Sequence, residues 1–213
     1  MTKLNSFYEN YLKFPLFILT HPIQGYQLFK EEKKGKMSVA IFYLVMSILV
    51  SILQYKYTGP VIGMYDQTKF NSVTMVIYMI TPVIVLSVAN WSITTLMDGK
   101  GKMKEIFMML CYSFFPLVFI SLINIVLSNV VTTDEAAFLG LLALIGSVCQ
   151  YYMIFMGLVV IHEYGILKTV ATIFLTIIAT LVMMFIALLI FDLSQQIYGF
   201  LYSLYYEITT RFL

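Results

Sequence analysis

Charged residues are scarce in this 213-residue chain: Asp, Glu, Lys and Arg make up 11% of it, against about 25% in a typical soluble domain. Cysteine is scarcer, and both copies, Cys111 and Cys149, fall in apolar runs, which gives no support to a disulfide framework. No signal peptide is predicted, because the N-terminus lacks a full apolar region followed by a small-residue cleavage site. These absences exclude a soluble enzyme, a nucleic-acid-binding domain and a secreted disulfide scaffold.

Apolar residues take the place of the missing charges, since 61% of the chain is hydrophobic. Five stretches contain none of the 13 Lys and Arg residues and none of the 11 Asp and Glu residues. They are 37–55, 72–97, 106–131, 136–161 and 169–191. A helix needs about 20 apolar residues to cross a bilayer, and each stretch has about that length or more. We therefore predict an all-α membrane protein whose domain 37–191 contains five transmembrane helices.

The basic residues are distributed unevenly between the two ends of these predicted helices. Ten of the 13 lie before the first stretch, between the second and the third, or between the fourth and the fifth. The positive-inside rule places loops rich in Lys and Arg in the cytoplasm. We therefore expect a cytoplasmic N-terminus and, because the number of spans is odd, a C-terminus on the outside.

The two flanking segments have different patterns. Residues 1–36 mix aromatic residues with lysines, which predicts an interfacial cytoplasmic segment with rings at the headgroup level, or an ordinary basic flank of the first span. Residues 192–213 carry apolar residues at helical spacing opposite a polar face, which predicts an amphipathic tail. The pattern leaves open whether this tail continues the fifth helix or lies along the outer surface.

The loop between the second and third spans, residues 98–105, reads Asp-Gly-Lys-Gly-Lys-Met-Lys-Glu. Its glycines and lysines suggest a phosphate-binding loop, but that motif requires Ser or Thr after the final lysine and a strand before the loop. Met103 follows the lysine here, and predicted membrane helices flank the loop. We therefore reject nucleotide binding and predict the turn of a helical hairpin.

Within the spans, the polar candidates are three amides, Asn90, Asn124 and Gln150. They predict either hydrogen bonds between helices or a polar site enclosed by them. His21 and His162 fall at the predicted inner interface, where two isolated histidines do not predict a metal site. The HExxH and GxSxG motifs and paired intramembrane aspartates are absent. We therefore expect no metal, no cofactor and no enzymatic activity.

Four local patterns remain to be explained. They are the segment 90–107, His21-Pro22 with the Gly-Tyr-Gln-Leu-Phe-Lys that follows, the stretch 112–116, and His162 before the fifth span. Together with five spans, these patterns resemble the Yip-domain family, which is named for its interaction with Ypt/Rab GTPases, and most closely its bacterial members. The resemblance extends over about residues 18–212.

This resemblance implies a compact five-helix membrane module, here in a bacterial inner membrane. Eukaryotic members act in Golgi and endoplasmic-reticulum trafficking as adaptors or shaping proteins and not as known enzymes. The long cytoplasmic N-terminal region of those members is missing, because only 36 residues precede the first span. No Rab-binding residue is therefore carried over, and a GTPase partner is not supported. The resemblance associates bacterial members with sugar-uptake ABC transporters.

Two functions from different classes are compatible with this pattern. The first, which we favour, is a non-enzymatic adaptor or scaffold that acts through protein or lipid partners at its cytoplasmic face, with a sugar ABC transporter as the most concrete partner. The second is a small transporter, channel or lipid-handling protein with a polar cavity lined by the three amides. The residues expected at the cytoplasmic binding surface are Asp98, Gly99, Gly101, Lys104, Glu105, His162, His21 and Pro22. No nucleic-acid partner is expected, and no oligomeric state is predicted.

Overall fold

The computed structural model describes residues 3–59 and 70–212. This part of the chain contains helices and no strand, and five helical segments are long and apolar enough to cross a membrane. They are Met37–Tyr57, Ser72–Leu96, Met103–Leu127, Ala136–His162 and Ile166–Thr210. The predicted all-α fold with five membrane spans is confirmed.

Nine α-helices form in the described residues. Three short helices come first, α1 (Lys3–Tyr8), α2 (Phe14–Thr20) and α3 (Pro22–Lys30), with a π-helical turn over Glu9–Lys13 between α1 and α2. The first two spans are α4 (Met37–Tyr57) and α5 (Ser72–Leu96). The third span is divided into α6 (Met103–Tyr112) and α7 (Phe114–Leu127). The last two are α8 (Ala136–His162) and α9 (Ile166–Phe212), with a 3₁₀ turn over Thr133–Glu135 before α8.

The N-terminal segment packs against the spans and supplies part of their core. Pro15 and Pro22 each lie in the first turn of a helix, where the missing N–H of proline has no intrahelical partner to lose. The sequence pattern suggests rings at the headgroup level, whereas Tyr26 and Phe29 are almost completely buried in the protein core. Tyr26 approaches α8 so closely that a Cβ on Gly157 would lie 3.0 Å from its ring. This packing positions α3 beside the final turns of α8.

The third span is interrupted at Ser113 because Pro116, three residues later, has no N–H to bond the carbonyl group of Tyr112. The interruption lies inside the aromatic core. The ring of Phe29 meets the ring of Tyr112 edge to face, with centroids 5.2 Å apart. The Tyr112 hydroxyl oxygen accepts a hydrogen bond from the backbone N–H of Lys36 at 3.1 Å. The third span is therefore the point at which the N-terminal segment is anchored.

The fifth span is the start of a single helix of 47 residues, α9, of which only the first part packs on the bundle. Thr169, Thr172 and Thr176 recur at helical spacing and are buried, and α9 packs mainly along α5. Beyond Thr180 almost every side chain is exposed. At 1.5 Å per residue the helix is about 70 Å long, more than twice the roughly 30 Å of a hydrocarbon core. The C-terminal tail thus continues the fifth helix.

Candidate functional site

Several chain segments meet at one end of the bundle, which we call the lysine-rich end. It consists of Lys30 at the end of α3, residues 97–104, which link α5 to α6 and begin α6, and residues 163–168, which link α8 to α9 and begin α9. Ion pairs join all three segments, because one carboxylate, that of Glu163, contacts Lys30 and Lys100. The lysine-rich end is therefore an assembled surface and not a set of independent loops.

A buried hydrogen-bonded chain lies directly beneath this surface. His162, the last residue of α8, is 1% exposed, and its Nε2 lies 3.0 Å from Oδ1 of Asn90 on α5. The Asn90 amide N–H donates to Oγ1 of Thr176 on α9 at 3.1 Å, and that hydroxyl donates to the carbonyl of Thr172. Because the amide oxygen of Asn90 can only accept, the network assigns the His162 proton to Nε2. The chain links three spans at one level of the bundle.

The other ring nitrogen of His162, Nδ1, has no hydrogen-bond partner among the described residues, and the loop between α5 and α6 covers it. A Cβ on Gly99 would lie 2.8 Å from Nδ1, and a Cβ on Gly101 would lie 2.6 Å from Cε1 of the same ring. Any side chain at either position would therefore collide with the imidazole. The backbone N–H of Gly99 donates to the carbonyl of Thr94 at 2.7 Å, which closes the end of α5. The structure thus brings Gly99, Gly101 and His162 together.

Tyr164 contacts both the loop between α5 and α6 and the His162 ring. Its hydroxyl donates to the carbonyl of Met97 at 3.0 Å, and its ring stacks on His162 with centroids 5.4 Å apart. The ammonium group of Lys168 lies 4.3 Å from the Tyr164 ring centroid, a cation–π contact. Burial, and after it the negative charge of Asp98, raises the pKa of Tyr164, so the phenol stays a neutral donor. The sequence gives no sign of this role.

Glu163 connects the three segments of the lysine-rich end. Its carboxylate accepts from Lys100 at 2.6 Å and from Lys30 at 2.8 Å, and Lys30 also donates to the carbonyl of Ile161 at 2.9 Å. The hydrogen bond from Lys100, followed by that from Lys30, lowers the Glu163 pKa to about 2. Its backbone adopts the left-handed conformation, with φ of 57°, as is common for the residue that ends a helix. The sequence did not single out Glu163 and Lys30 within their segments, because their pairing depends on how α3 packs on α8.

The remaining predicted surface residues have simpler roles. Asp98 is exposed and, with φ of 58°, makes the left-handed turn after α5. Lys104 is exposed in the first turn of α6, and the Glu105 carboxylate accepts from the backbone N–H of Lys102 at 3.0 Å, capping that helix. These residues belong to the lysine-rich end or border it.

His21 and Pro22 lie apart from the His162 network, at the junction of α2 and α3. His21 is exposed, and its Nδ1 lies 3.0 Å from the hydroxyl of Thr20. Its ring stacks on that of Phe17, with centroids 5.1 Å apart. Pro22 is buried at the first position of α3, the helix that carries Lys30. Their contribution to the surface is therefore the placement of α3.

The three predicted intramembrane amides do not line one common cavity. Asn90 belongs to the His162 network. Asn124 on α7 donates to the carbonyl of Leu139 on α8 at 3.2 Å, while its Oδ1 has no partner in the described chain. Gln150 is half-buried on α8. Each amide therefore belongs to a different neighbourhood.

An apolar groove of about 350 Å³ lies between α5, α6, α8 and α9, and we call it the lateral groove. Ile106 and Leu110 of α6 and Leu158 of α8 line it, and the side chains in its wall that carry polar atoms are those of Asn90, Thr176 and Tyr151. Its lining is thus almost wholly apolar, and it lies directly beside the His162 network.

A second, smaller cavity of about 170 Å³ lies between α4, α5, α7 and α8 and is more polar. Four serines line it together with Gln54: Ser47, Ser51, Ser121 and Ser147. The hydroxyls of Ser47, Ser51 and Ser147 donate to carbonyls of their own helices, at 2.8, 2.9 and 3.0 Å, so three of the four serine protons do not face the cavity. Within the described residues no group of three or more His, Cys, Asp or Glu side chains is placed to hold a metal ion.

The comparison with protein families identifies one long region of similarity. The family model described as the Yip1 domain matches residues 16–205 of the chain, which is most of its length. The match includes every segment that forms the lysine-rich end and all four helices that line the lateral groove. No curated protein and no solved structure gives a significant match.

Proposed function

Because the chain belongs to the Yip1 domain family of membrane proteins, we propose that it is a non-enzymatic adaptor or scaffold whose docking surface is the lysine-rich end. The observation that carries this proposal is the shared carboxylate of Glu163, which joins Lys30 and Lys100 from distant parts of the sequence. Such a bridge, above a buried network of hydrogen bonds, supports the proposal that the surface is formed before a partner binds. A preformed surface loses little conformational entropy when a partner binds.

The charge of this surface indicates the chemistry of its partner. Lys102, Lys104 and Lys168 are exposed, and of the two acids on the same end, Glu163 is already paired with two other lysines, which leaves Asp98 beside three exposed lysines. Complementary electrostatics therefore favours a protein partner with an acidic surface. The resemblance of the motifs to bacterial members suggests a sugar ABC transporter as that partner.

The location of the docking surface follows from the distribution of charge. The positive-inside rule places the lysine-rich end and the N-terminus in the cytoplasm and the C-terminal part of α9 outside. We place the protein in the inner membrane of a bacterium, where its partner approaches from the cytoplasmic side. The exposed end of α9 is then available on the opposite side of the membrane.

Site-specific photocrosslinking in cells tests this function. A photoreactive amino acid replaces Lys102 in one variant and Tyr202, on the opposite end of α9, in a matched control. We expect a discrete protein adduct from position 102, and we expect that adduct to weaken when Lys100, Lys104 and Lys168 are changed to Gln. Adducts with lipid alone at position 102 would contradict the adaptor function.

The alternative function, as a small transporter, channel or lipid-handling protein, depends on one polar cavity lined by Asn90, Asn124 and Gln150. In the structure these amides lie in different neighbourhoods, and three of the four serines that line the smaller cavity donate to carbonyls of their own helices. We therefore do not propose transport.

A further inference from the structure

We propose that the lateral groove binds one acyl chain of a glycerophospholipid with an anionic headgroup. This inference goes beyond the adaptor function, because it concerns a separate cavity and a different class of ligand, with Lys102 as the residue at which the groove borders the lysine-rich end. It rests on three observations: the shape and position of the groove, the hydrogen-bonding state of Asn90, and the position of Lys102 relative to the groove-lining face of α6.

The groove opens sideways, toward the space that lipid occupies around membrane-spanning helices. Its rim carries Tyr151 of α8 and Ile177 of α9, which are 69% and 51% exposed. The opening exists because α9 packs along α5 and makes few contacts with α8. All four lining helices belong to the membrane spans. In a bilayer the molecules beside such an opening are lipid chains, and an apolar lining of about 350 Å³ accommodates part of one chain.

An apolar wall does not select between lipids, since lipid tails are as apolar as leucine side chains. Selectivity therefore needs a polar contact, and Asn90 provides one. The residue is 4% exposed and lines the groove. Its amide nitrogen donates one N–H to Thr176, and its oxygen accepts from His162, so the orientation of the amide is determined. An amide nitrogen has two donors, and the second can bond an ester oxygen of a lipid in the groove.

The headgroup of a lipid held in this way would lie near a basic residue. Ile106 and Leu110 line the groove from one face of α6, because they are four residues apart. Lys102 precedes Ile106 by the same interval and is exposed, and as the N-cap residue of α6 it lies at the end of the helix next to that face. Lys104 is also exposed but, two residues before Ile106, it lies on the opposite face. Lys102 is thus placed to pair with a lipid phosphate.

Photolabelling of the full chain in nanodiscs tests the proposal. The probe is phosphatidylglycerol with a diazirine in one acyl chain, and mass spectrometry maps the labelled residues. We expect label concentrated on the groove-lining residues of α6 and α8. The variant Ile177→Trp, at the exposed rim, should reduce this label to the level found on other exposed helix faces. The matched control Ile178→Trp, one residue further along α9 and 44% exposed, should retain it.

The headgroup preference is measured with a second probe, phosphatidylcholine that carries the same diazirine in one acyl chain. We expect the groove to prefer phosphatidylglycerol, and we expect Lys102→Ala to lower that preference about fivefold, the effect of one basic residue near an anionic surface. Lys104→Ala should leave it nearly unchanged. Label spread evenly over the exposed helix faces and insensitive to Ile177→Trp would overturn the acyl-chain site. Equal labelling by both probes in the wild-type protein would overturn the anionic headgroup.

Discussion

Glu163 shows how much one residue determines at the lysine-rich end. Its carboxylate pairs with Lys30 and Lys100, which are 133 and 63 residues away in the sequence. The side chain is 48% exposed, so solvent screens these ion pairs and their energetic contribution is modest. Their structural effect is larger, because they hold α3 and the loop 97–102 against the end of α8.

The pH dependence of protein stability should report the ion pairs of Glu163 with Lys30 and Lys100. The Glu163 pKa is lowered from 4.5 to about 2 in the folded chain, so the stabilisation is complete above about pH 5 and decreases as the pH falls toward 2. The difference in thermal unfolding midpoint between wild type and Glu163→Gln should be constant from pH 7 to 6 and fall to about half or less near pH 3. Thermal unfolding in detergent measures it, with the exposed Glu31→Gln as control. A difference that does not change with pH would contradict the assignment.

The second prediction at the scale of single residues concerns Gly99 in the loop between α5 and α6. A Cβ on Gly99 would lie 2.6 Å from the Tyr164 hydroxyl and 2.8 Å from Cβ of Thr94. Gly99→Ala should therefore destabilise the protein by about 1–3 kcal/mol, as overpacking of a tight site does. Gly165→Ala, on the same end, meets nothing within 4 Å and is the matched control. Equal unfolding midpoints for the two variants would show that the loop does not pack on Tyr164 as described.

At the scale of helices, α9 is held by polar contacts over its first part, whereas almost every side chain beyond Thr180 is exposed. The Asn90 amide donates to Thr176, and this contact ties α9 to α5 in the region where apolar packing alone gives little specificity. A helix pair within a membrane gains no hydrophobic driving force from association, so small residues and hydrogen bonds determine which faces meet. Thr169, Thr172 and Thr176, which we call the threonine stripe, provide small side chains and a hydrogen-bonding hydroxyl on one face of α9.

Removal of one hydroxyl from this stripe should have a measurable effect. Thr176→Val preserves the shape of the side chain but leaves the Asn90 N–H without its acceptor. We expect a loss of about 0.6–1.7 kcal/mol in unfolding free energy, the range for hydrogen bonds between membrane helices. Thr180→Val is the control, because the Thr180 hydroxyl donates to the Thr176 carbonyl within the same helix. If both variants lose the same stability, the bond between α5 and α9 makes no specific contribution.

The helices also show which features of the fold can be predicted from hydropathy and which cannot. Hydropathy and length predict five spans because each crossing requires an uncharged run of a fixed length. The same pattern cannot show that the fifth helix continues to Phe212, since an amphipathic tail has the same spacing in either arrangement. Nor could it show that Tyr26 and Phe29 are buried, because aromatic residues suit both a membrane interface and a core.

At the scale of the whole molecule, the candidate site combines residues that no local pattern relates. His162, Gly99 and Gly101 could be selected from their motifs, but the bond from His162 to Asn90 spans 72 residues and depends on the rotation of two helices. Lys30, Glu163 and Tyr164 could not be singled out within their segments for the same reason. The lateral groove arises because α9 packs mainly against α5 and little against α8, and hydropathy does not predict which helices pack together.

The central claim is that the lysine-rich end faces the cytoplasm and presents the docking surface there. A membrane-impermeant maleimide measures this orientation most directly in spheroplasts that carry Lys102→Cys or Ser203→Cys. The native Cys111 is buried and Cys149 is half-buried within a span, so the unmodified chain is the background control. We expect Ser203→Cys to be labelled in intact spheroplasts and Lys102→Cys only after permeabilisation. Labelling of Lys102→Cys in intact spheroplasts, with Ser203→Cys protected, would contradict it.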